Sequence, residues 1–315
     1  MTAREPTLAA LPNPLLRYFL ATRPAFLTIT LVGVVLGLAG AAHDGLALEP
    51  TRAAVTLLAA LLTHAGVNVL NDYYDALNGS DARNVDRIYP YTGGSRFIQN
   101  GVLTPRATAT FGFALLAAVI PAGLWLTLHA GPALIAIGAA GLFIGWAYSA
   151  EPLRLNGRGL GEICVALGFL LVVVGSDFVQ RAGFAQLPWL AGWPYALLVT
   201  AILYVNQFPD RAADAAAGKR HWVVRLPPRL AARGYGLILL AAYGGLVLAI
   251  ALRALPVATA AALAAAPLSL RAWSSLLRHA DTPAALAPAI RDTLAAAHLA
   301  GLLLAAALFS TAGPA

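Results

Sequence analysis

From residue 18 to residue 310 the chain alternates long apolar runs with shorter polar breaks. The runs predict nine helical spans, near 18–42, 52–74, 106–129, 132–149, 159–180, 189–208, 229–252, 255–276 and 284–310. About 20 helical residues cross the ~30 Å hydrocarbon core of a bilayer. The least regular is 255–276, which is rich in alanine and contains Pro267. The expected fold class is an all-α polytopic membrane protein.

Two spans end in polar stripes. In the second, Asn68, Asn71, Asp72 and Asp75 fall at i, i+3, i+4 and i+7, which is one face of a helix. In the sixth, Asn206, Asp210 and Asp214 fall at i, i+4 and i+8, again one face if the helix continues through Pro209. Each Asp at a bilayer centre costs roughly 2.5–3.5 kcal/mol on insertion scales, so a carboxylate pair at a span end needs a reason. Both copies carry an Asn four residues ahead of an Asp. This predicts one domain over 1–315, with related halves at about 18–150 and 158–278, a last helix at about 284–310, and a site between the halves. Facing carboxylates repel unless cations lie between them. Hard oxygen ligands that keep waters and share phosphate oxygens point to Mg²⁺.

Composition supports the membrane reading. The 315 residues are 59% hydrophobic and 11% charged, with mean hydropathy +0.73, against roughly 25% charged in globular proteins. A net charge of +7 would suit nucleic acid, but most of the cations flank apolar spans. The positive-inside rule explains them better, and no nucleic-acid partner is expected. With the N-terminus inside, only Arg52, Arg181 and Arg253 of the 21 Lys and Arg lie outside. That puts both stripes and the long loops 76–105 and 210–229 on the cytoplasmic face of a bacterial-type inner (plasma) membrane. The first apolar run, 26–42, reads as an uncleaved span. The single cysteine, Cys164, leaves no disulfide framework and no paired-cysteine metal site.

The loops place cations beside the stripes. The first holds Asp81, Arg87 and the run Thr92-Gly93-Gly94-Ser95-Arg96; the second holds Lys219, the single lysine, with His221 and Arg225. Tyr148 and Arg154 flank the link between the fourth and fifth spans. Acids and cations at a membrane surface describe a diphosphate site, in which carboxylates hold Mg²⁺ and Arg or Lys takes the remaining charge. Arg96, Arg154, Lys219 and Arg225 are the candidates, though each also satisfies the positive-inside rule. The apolar interior suits a hydrocarbon tail. Ionising an allylic C–O bond needs the departing diphosphate neutralised and the carbocation kept from water.

Several residues keep two readings. Asn68 and Asn206 either orient the diphosphate or a metal-bound water, or bond between helices. Asp81 is a further metal ligand or a solvated loop acid. Tyr148 faces the allylic cation with its ring or belongs to the interfacial aromatic belt. Asp177 falls near the outer face, away from the stripes, and His64, one turn before Asn68, either lines the cavity or packs between helices. An ion-coupled transporter also uses intramembrane acids and repeats, but near the bilayer midplane.

At these motifs the chain resembles the UbiA superfamily of intramembrane aromatic prenyltransferases. The family's two Asp-rich motifs match Asn71-Asp72-x-x-Asp75 and Asp210-x-x-x-Asp214. NDYYDALNGSD, GGSRFIQNGVLTP (93–105), GLGE (159–162) and GKRHWVVRL (218–226) look most like the 1,4-dihydroxy-2-naphthoate polyprenyltransferase branch of menaquinone synthesis. His221-Trp222 stands where that branch usually has Thr-Leu, and Pro227-Pro228 follows where glycine is common, which keeps 4-hydroxybenzoate open as an alternative acceptor. The resemblance implies nine helices around a central cavity, Mg²⁺ dependence, a polyprenyl diphosphate donor and an aromatic acceptor. Asp72, Asp75, Asp210 and Asp214 become the catalytic, metal-side residues. Arg225 or Arg96 is the expected holder of the acceptor's carboxylate.

Overall fold

The computed structural model describes residues 4–313, and every regular element among them is helical. In chain order these are α1 (Pro14–Ala21), α2 (Pro24–His43), α3 (Pro50–Asn78), α4 (Ser80–Arg83), α5 (Pro105–Ala130) and α6 (Ala133–Ser149). Then follow α7 (Gly161–Arg181), α8 (Leu187–Ala216), α9 (Trp222–Arg225), α10 (Pro228–Ala251), α11 (Ala266–His279) and α12 (Ala287–Ser310). Among the described residues, eight helices are long and apolar enough to cross a membrane, counting α11 with the tighter 3-10 winding Val257–Ala265 that leads into it. The ninth apolar helix, α6, has 17 residues.

Local chemistry sets the ends. Pro50 opens α3, and the Glu49 carboxylate accepts from the Thr51 and Arg52 backbone N–H groups. Pro105 opens α5, and the Thr104 hydroxyl accepts from Ala107 N–H. In both cases a proline, which has no N–H and so needs no acceptor, follows a side chain that satisfies the orphan donors.

Three boundaries differ from the hydrophobic pattern. The expected span 18–42 is two helices, because Arg23 takes a left-handed conformation (φ 58°) and Pro24 starts a new helix. The expected span 189–208 runs on to Ala216: α8 passes through Pro209 and keeps the second stripe helical. The alanine-rich span 255–276 begins as 3-10 helix from Val257.

α8 is the most buried of the spanning helices. Its Tyr195 hydroxyl donates to the Ile29 carbonyl of α2. Glycines bring the neighbours close. A Cβ on Gly37 of α2 would stand 2.2 Å from the Val173 carbonyl oxygen of α7, and one on Gly301 of α12 would stand 2.4 Å from Val32. Between helices in lipid, where apolar burial drives little, small residues gain contact through such backbone approach. Outward leucines such as Leu128, Leu237 and Leu240 are exposed, as a lipid-facing surface requires.

The up-and-down course of the helices brings both polar stripes and the loops after α3 and α8 to one end. The far end closes on itself. Asp177, 1% exposed, takes both Nε and an Nη of Arg181 at 2.8 Å, and Arg181 also reaches Asp44 at 2.7 Å.

Candidate active site

The first stripe, from Asn68 to Asp75, lies in the last three turns of α3. Asp72 and Asp75 are buried, at 4% and 7% exposure. The Asn71 amide donates to Asp75 Oδ2 at 3.3 Å and to Ser149 Oγ at 3.0 Å, and Asn78 donates to Asp75 Oδ1 at 3.1 Å. Asn68 donates to the Thr22 carbonyl at 3.0 Å, pinning α3 beside the α1–α2 break. Gly79, left-handed at φ 78°, ends α3 and turns the chain into α4.

The following loop folds back over the stripe. Ser95 N–H donates to Asp72 Oδ1 at 3.1 Å. A Cβ on Gly94 (φ 73°) would lie 2.3 Å from Asp81 Oδ2 and 3.0 Å from Asp72 Oδ1, so only glycine lets the backbone pass there. Asp81 is buried beside the stripe, and Arg96 donates to its carbonyl at 2.5 Å. Burial, then the carboxylates of Asp75 and Asp72, push the Asp81 carboxyl well above the usual range.

The same loop joins the first stripe to the second. Asn84 donates to Asp210 Oδ1 at 2.5 Å, and the Asn206 amide reaches the Tyr91 carbonyl at 3.4 Å. Asp214, one turn beyond Asp210 on α8, holds Lys219 Nζ at 2.9 Å on Oδ1 and His221 Nε2 at 3.1 Å on Oδ2. Lys219 Nζ also lies 2.9 Å from Asp75 Oδ1, so one ammonium bridges the two stripes. Burial lowers the lysine's pKa, but Asp75 and Asp214 outweigh it and raise it above the ordinary range.

An apolar cavity of about 590 Å³ opens from this cluster. Asp75, Asp210, Lys219 and Tyr148 line its polar end, and Phe169, Leu134 and Thr127 are among the residues lining the rest. His64 also lines it, held to Thr30 Oγ1 at 2.6 Å, with Phe169 edge-on at 5.5 Å between ring centroids.

Asn68, Asn71, Asp75, Asp81, Tyr148, Asn206, Asp210, Asp214 and Lys219 share this cavity, and Asp72 lies under its glycine loop. Three predicted cations stand apart. Arg154 pairs with Glu151 at 3.0 Å, Arg225 donates to the Arg158 carbonyl at 3.0 Å, and neither lines the cavity. Arg96 is buried behind Asp81, with Glu5 3.8 Å away on its other side. Arg23, which the sequence reading passed over, does line the cavity. It donates to the Tyr91 carbonyl at 3.1 Å, and no described carboxylate lies within ion-pair distance of it. Its only sequence signal was a cation directly before the proline that opens the first apolar run.

Among the described residues, no three of His, Cys, Asp and Glu gather tightly enough to hold an ion unaided. The donor set nevertheless fits a hydrated hard cation. Side-chain oxygens of Asn84, Asn156, Asn206 and Gln207 line the cavity, buried and without a hydrogen-bond donor. An unpaired buried acceptor costs about 1–3 kcal/mol, which a metal or its waters would relieve.

Residues 26–294 match the model of the UbiA prenyltransferase family. The chain belongs to that family. It is a membrane prenyltransferase, which leaves the transporter alternative behind. The 1,4-dihydroxy-2-naphthoate octaprenyltransferase of Mycobacterium tuberculosis is 31% identical over 91% of this chain and 94% of its own. The enzyme of that name from Escherichia coli K12 is 29% identical over 91% and 93%. The UbiA prenyltransferase domain-containing protein 1 of Dictyostelium discoideum is 28% identical over 65% of this chain and 62% of its own. In fold, the chain is similar to a UbiA homolog from Archaeoglobus fulgidus solved with GPP and Mg²⁺, with TM-score 0.61 and 14% identity over 93% of this chain and 99% of that one.

Proposed function

We propose that this prenyltransferase moves a polyprenyl group from an allylic diphosphate to 1,4-dihydroxy-2-naphthoate, in menaquinone biosynthesis, with Mg²⁺ at Asp72, Asp75, Asp210 and Asp214. The observation that carries the reading is the meeting of both acidic stripes at the polar end of one apolar cavity. The naphthoate acceptor is supported by the names of relatives that match over nine-tenths of the chain.

Bound there, the metal would neutralise diphosphate charge as it develops. Asp72 and Asp75 are held for that task by Ser95, Asn71 and Asn78, and Asp210 by Asn84. Asn68 and Asn206 orient the diphosphate, and Lys219 adds a cation. Asp81 serves as a further oxygen ligand once deprotonated. The apolar cavity takes the prenyl chain and excludes water from the allylic cation, which Tyr148 faces. Arg23 replaces Arg225 and Arg96 as the cation assigned to the acceptor's carboxylate, because it alone of the three lines the cavity.

In the reaction the allylic C–O bond breaks, its electron pair leaving with diphosphate. The carboxyl-bearing ring carbon attacks the cation. The ring–carboxyl bond then gives its electrons back to the ring, carbon dioxide leaves, and aromaticity returns. The test offers the purified protein Mg²⁺, one polyprenyl diphosphate, and a mixture of carboxyl-labelled dihydroxynaphthoate and 4-hydroxybenzoate. Labelled carbon dioxide with a prenylnaphthoquinol is the expected result. A label-retaining product made only from the benzoate assigns the other acceptor.

We place the site on the cytoplasmic side of a bacterial-type plasma membrane, on the charge bias. In a Cys164→Ala background, cysteines at the exposed positions Val85 and Ala216 should then react in intact cells only with membrane-permeant reagents. Labelling by an impermeant reagent would reverse the orientation.

A further inference from the structure

The contact joining the two acidic stripes is an ion pair brought from the loop after α8. It is the ammonium of Lys219, 2.9 Å from Asp75 Oδ1 on α3 and 2.9 Å from Asp214 Oδ1 on α8. The side chain is held there on purpose-built backbone. Gly218, left-handed at φ 76°, turns the chain back at the end of α8. Lys219 N–H then donates to the Asp214 carbonyl at 2.9 Å, and the side chain runs inward to 6% exposure. His221 takes the other oxygen of Asp214 at 3.1 Å. Two of the four carboxylates assigned above to the metal are therefore engaged: Asp214 on both oxygens, and Asp75 by Lys219, Asn71 and Asn78.

We infer that Lys219 is a resident counter-ion that makes metal and diphosphate binding interdependent. The inference rests on the metal and diphosphate assignment proposed above. A divalent cation arriving alone must displace an ammonium that already neutralises Asp75 and Asp214, and the displaced ammonium would be left buried without an anion. Such an unpaired buried charge is costly. A diphosphate arriving alone meets a cation already committed to two carboxylates. When both arrive, the lysine exchanges its carboxylates for phosphate oxygens while the metal takes the carboxylates, so every charge stays paired. Each ligand then strengthens the other by the same factor, as linkage requires. The site is kept from loading metal without donor, and from loading donor without metal.

Lys219 is the single lysine of the chain, which gives a direct readout on the wild-type protein. Lysine labelled with ¹³C at Cε, incorporated into full-length protein in nanodiscs, yields one side-chain resonance. At a Mg²⁺ concentration just sufficient for a full shift when the thiolodiphosphate is present, Mg²⁺ alone should leave most of that resonance in place, and so should geranyl thiolodiphosphate alone. The two together should shift it. A full shift with Mg²⁺ alone, or no shift with both, overturns the inference.

The complementary measurement is Mn²⁺ affinity without any anion, read from the free-ion EPR signal. Lys219→Gln should bind Mn²⁺ roughly tenfold tighter than wild type, a modest value within the 5–150-fold range of ordinary site coupling. The near-isosteric Lys219→Met should do the same and serves if the first variant does not fold. Equal Mn²⁺ affinity in wild type and variants overturns the counter-ion role while leaving the metal site standing. No binding in any of them, with or without the thiolodiphosphate, overturns the metal assignment as well.

Discussion

The two ends of the bundle hold buried carboxylates in opposite ways. At the far end Asp177 sits one turn from Arg181 on its own helix, and the pair closes with both bonds at 2.8 Å. Asp44 pairs with the Nη2 of the same guanidinium at 2.7 Å. Both oxygens of Asp177 are taken within the bundle, and the acid serves to tie α7 to the end of α2. At the site end no carboxylate of either stripe is matched by a cation on its own helix turn. Asp72 is held by a loop N–H, Asp210 by an asparagine, and Asp75 and Asp214 share a lysine from beyond the helix. An intramembrane acid is therefore not by itself a functional site. The difference lies in whether its partners are local and permanent, or brought from loops that a ligand can replace.

The sharpest way to break that contrast is to remove a stripe carboxylate. Asp72→Ala and Asp210→Ala should each lower prenyl transfer by about 100-fold or more, the scale of losing a preorganised electrostatic group. Melting of the purified protein should stay near wild type, since each change also removes a crowded buried charge. Near-normal turnover in either folded variant would remove the stripes from the chemistry.

Much of this arrangement is legible along the chain. The stripes at Asn68, Asp72 and Asp75 and at Asn206, Asp210 and Asp214 stand out because helical periodicity places them on one face before any folding is known. That α8 would survive Pro209 was readable only as a condition, since the spacing of acids on both sides requires it. The partners are harder. Lys219, Arg154 and Arg225 all lie in basic loops after apolar spans, so composition treats them alike. Only the docking of α3 beside α8 selects Lys219. Arg23 reads as a flanking positive charge until the break between α1 and α2 turns it into the cavity. Asn84 sits in a loop whose fold back over Asp210 depends on the glycines at 93 and 94.

At the far end the expected effects are smaller and of another kind. Asp177→Asn should leave turnover within about twofold of wild type and lower stability. Breaking a buried pair costs about 3–5 kcal/mol; here Arg181 keeps Asp44, so a loss of about 1–3 kcal/mol is expected. Thermal melting in detergent, run beside the transfer assay, separates the two. A variant that melts normally but has lost activity would make Asp177 part of the reaction path, and the contrast between the ends would fail.

The smallest effect belongs to Arg225, which lies six residues beyond Lys219 in the same basic loop. Its guanidinium packs over the Trp222 ring at 5.6 Å and donates to the Arg158 carbonyl at 3.0 Å. Trp222 is itself exposed, and exposed cation–π contacts are worth about 0.5–1 kcal/mol. With no place in the cavity lining, Arg225 has no route to the diphosphate in this conformation. Arg225→Ala should therefore change kcat and the KM for either substrate by less than about threefold, a difference of well under 1 kcal/mol. Lys219→Met in the same assay should raise the KM for the donor by about tenfold or more. A rise of KM for the diphosphate donor by tenfold or more in Arg225→Ala would show that the α9 loop swings over the site during turnover. The division drawn here between ligand-exchangeable and merely flanking cations would then have to move outward to include it.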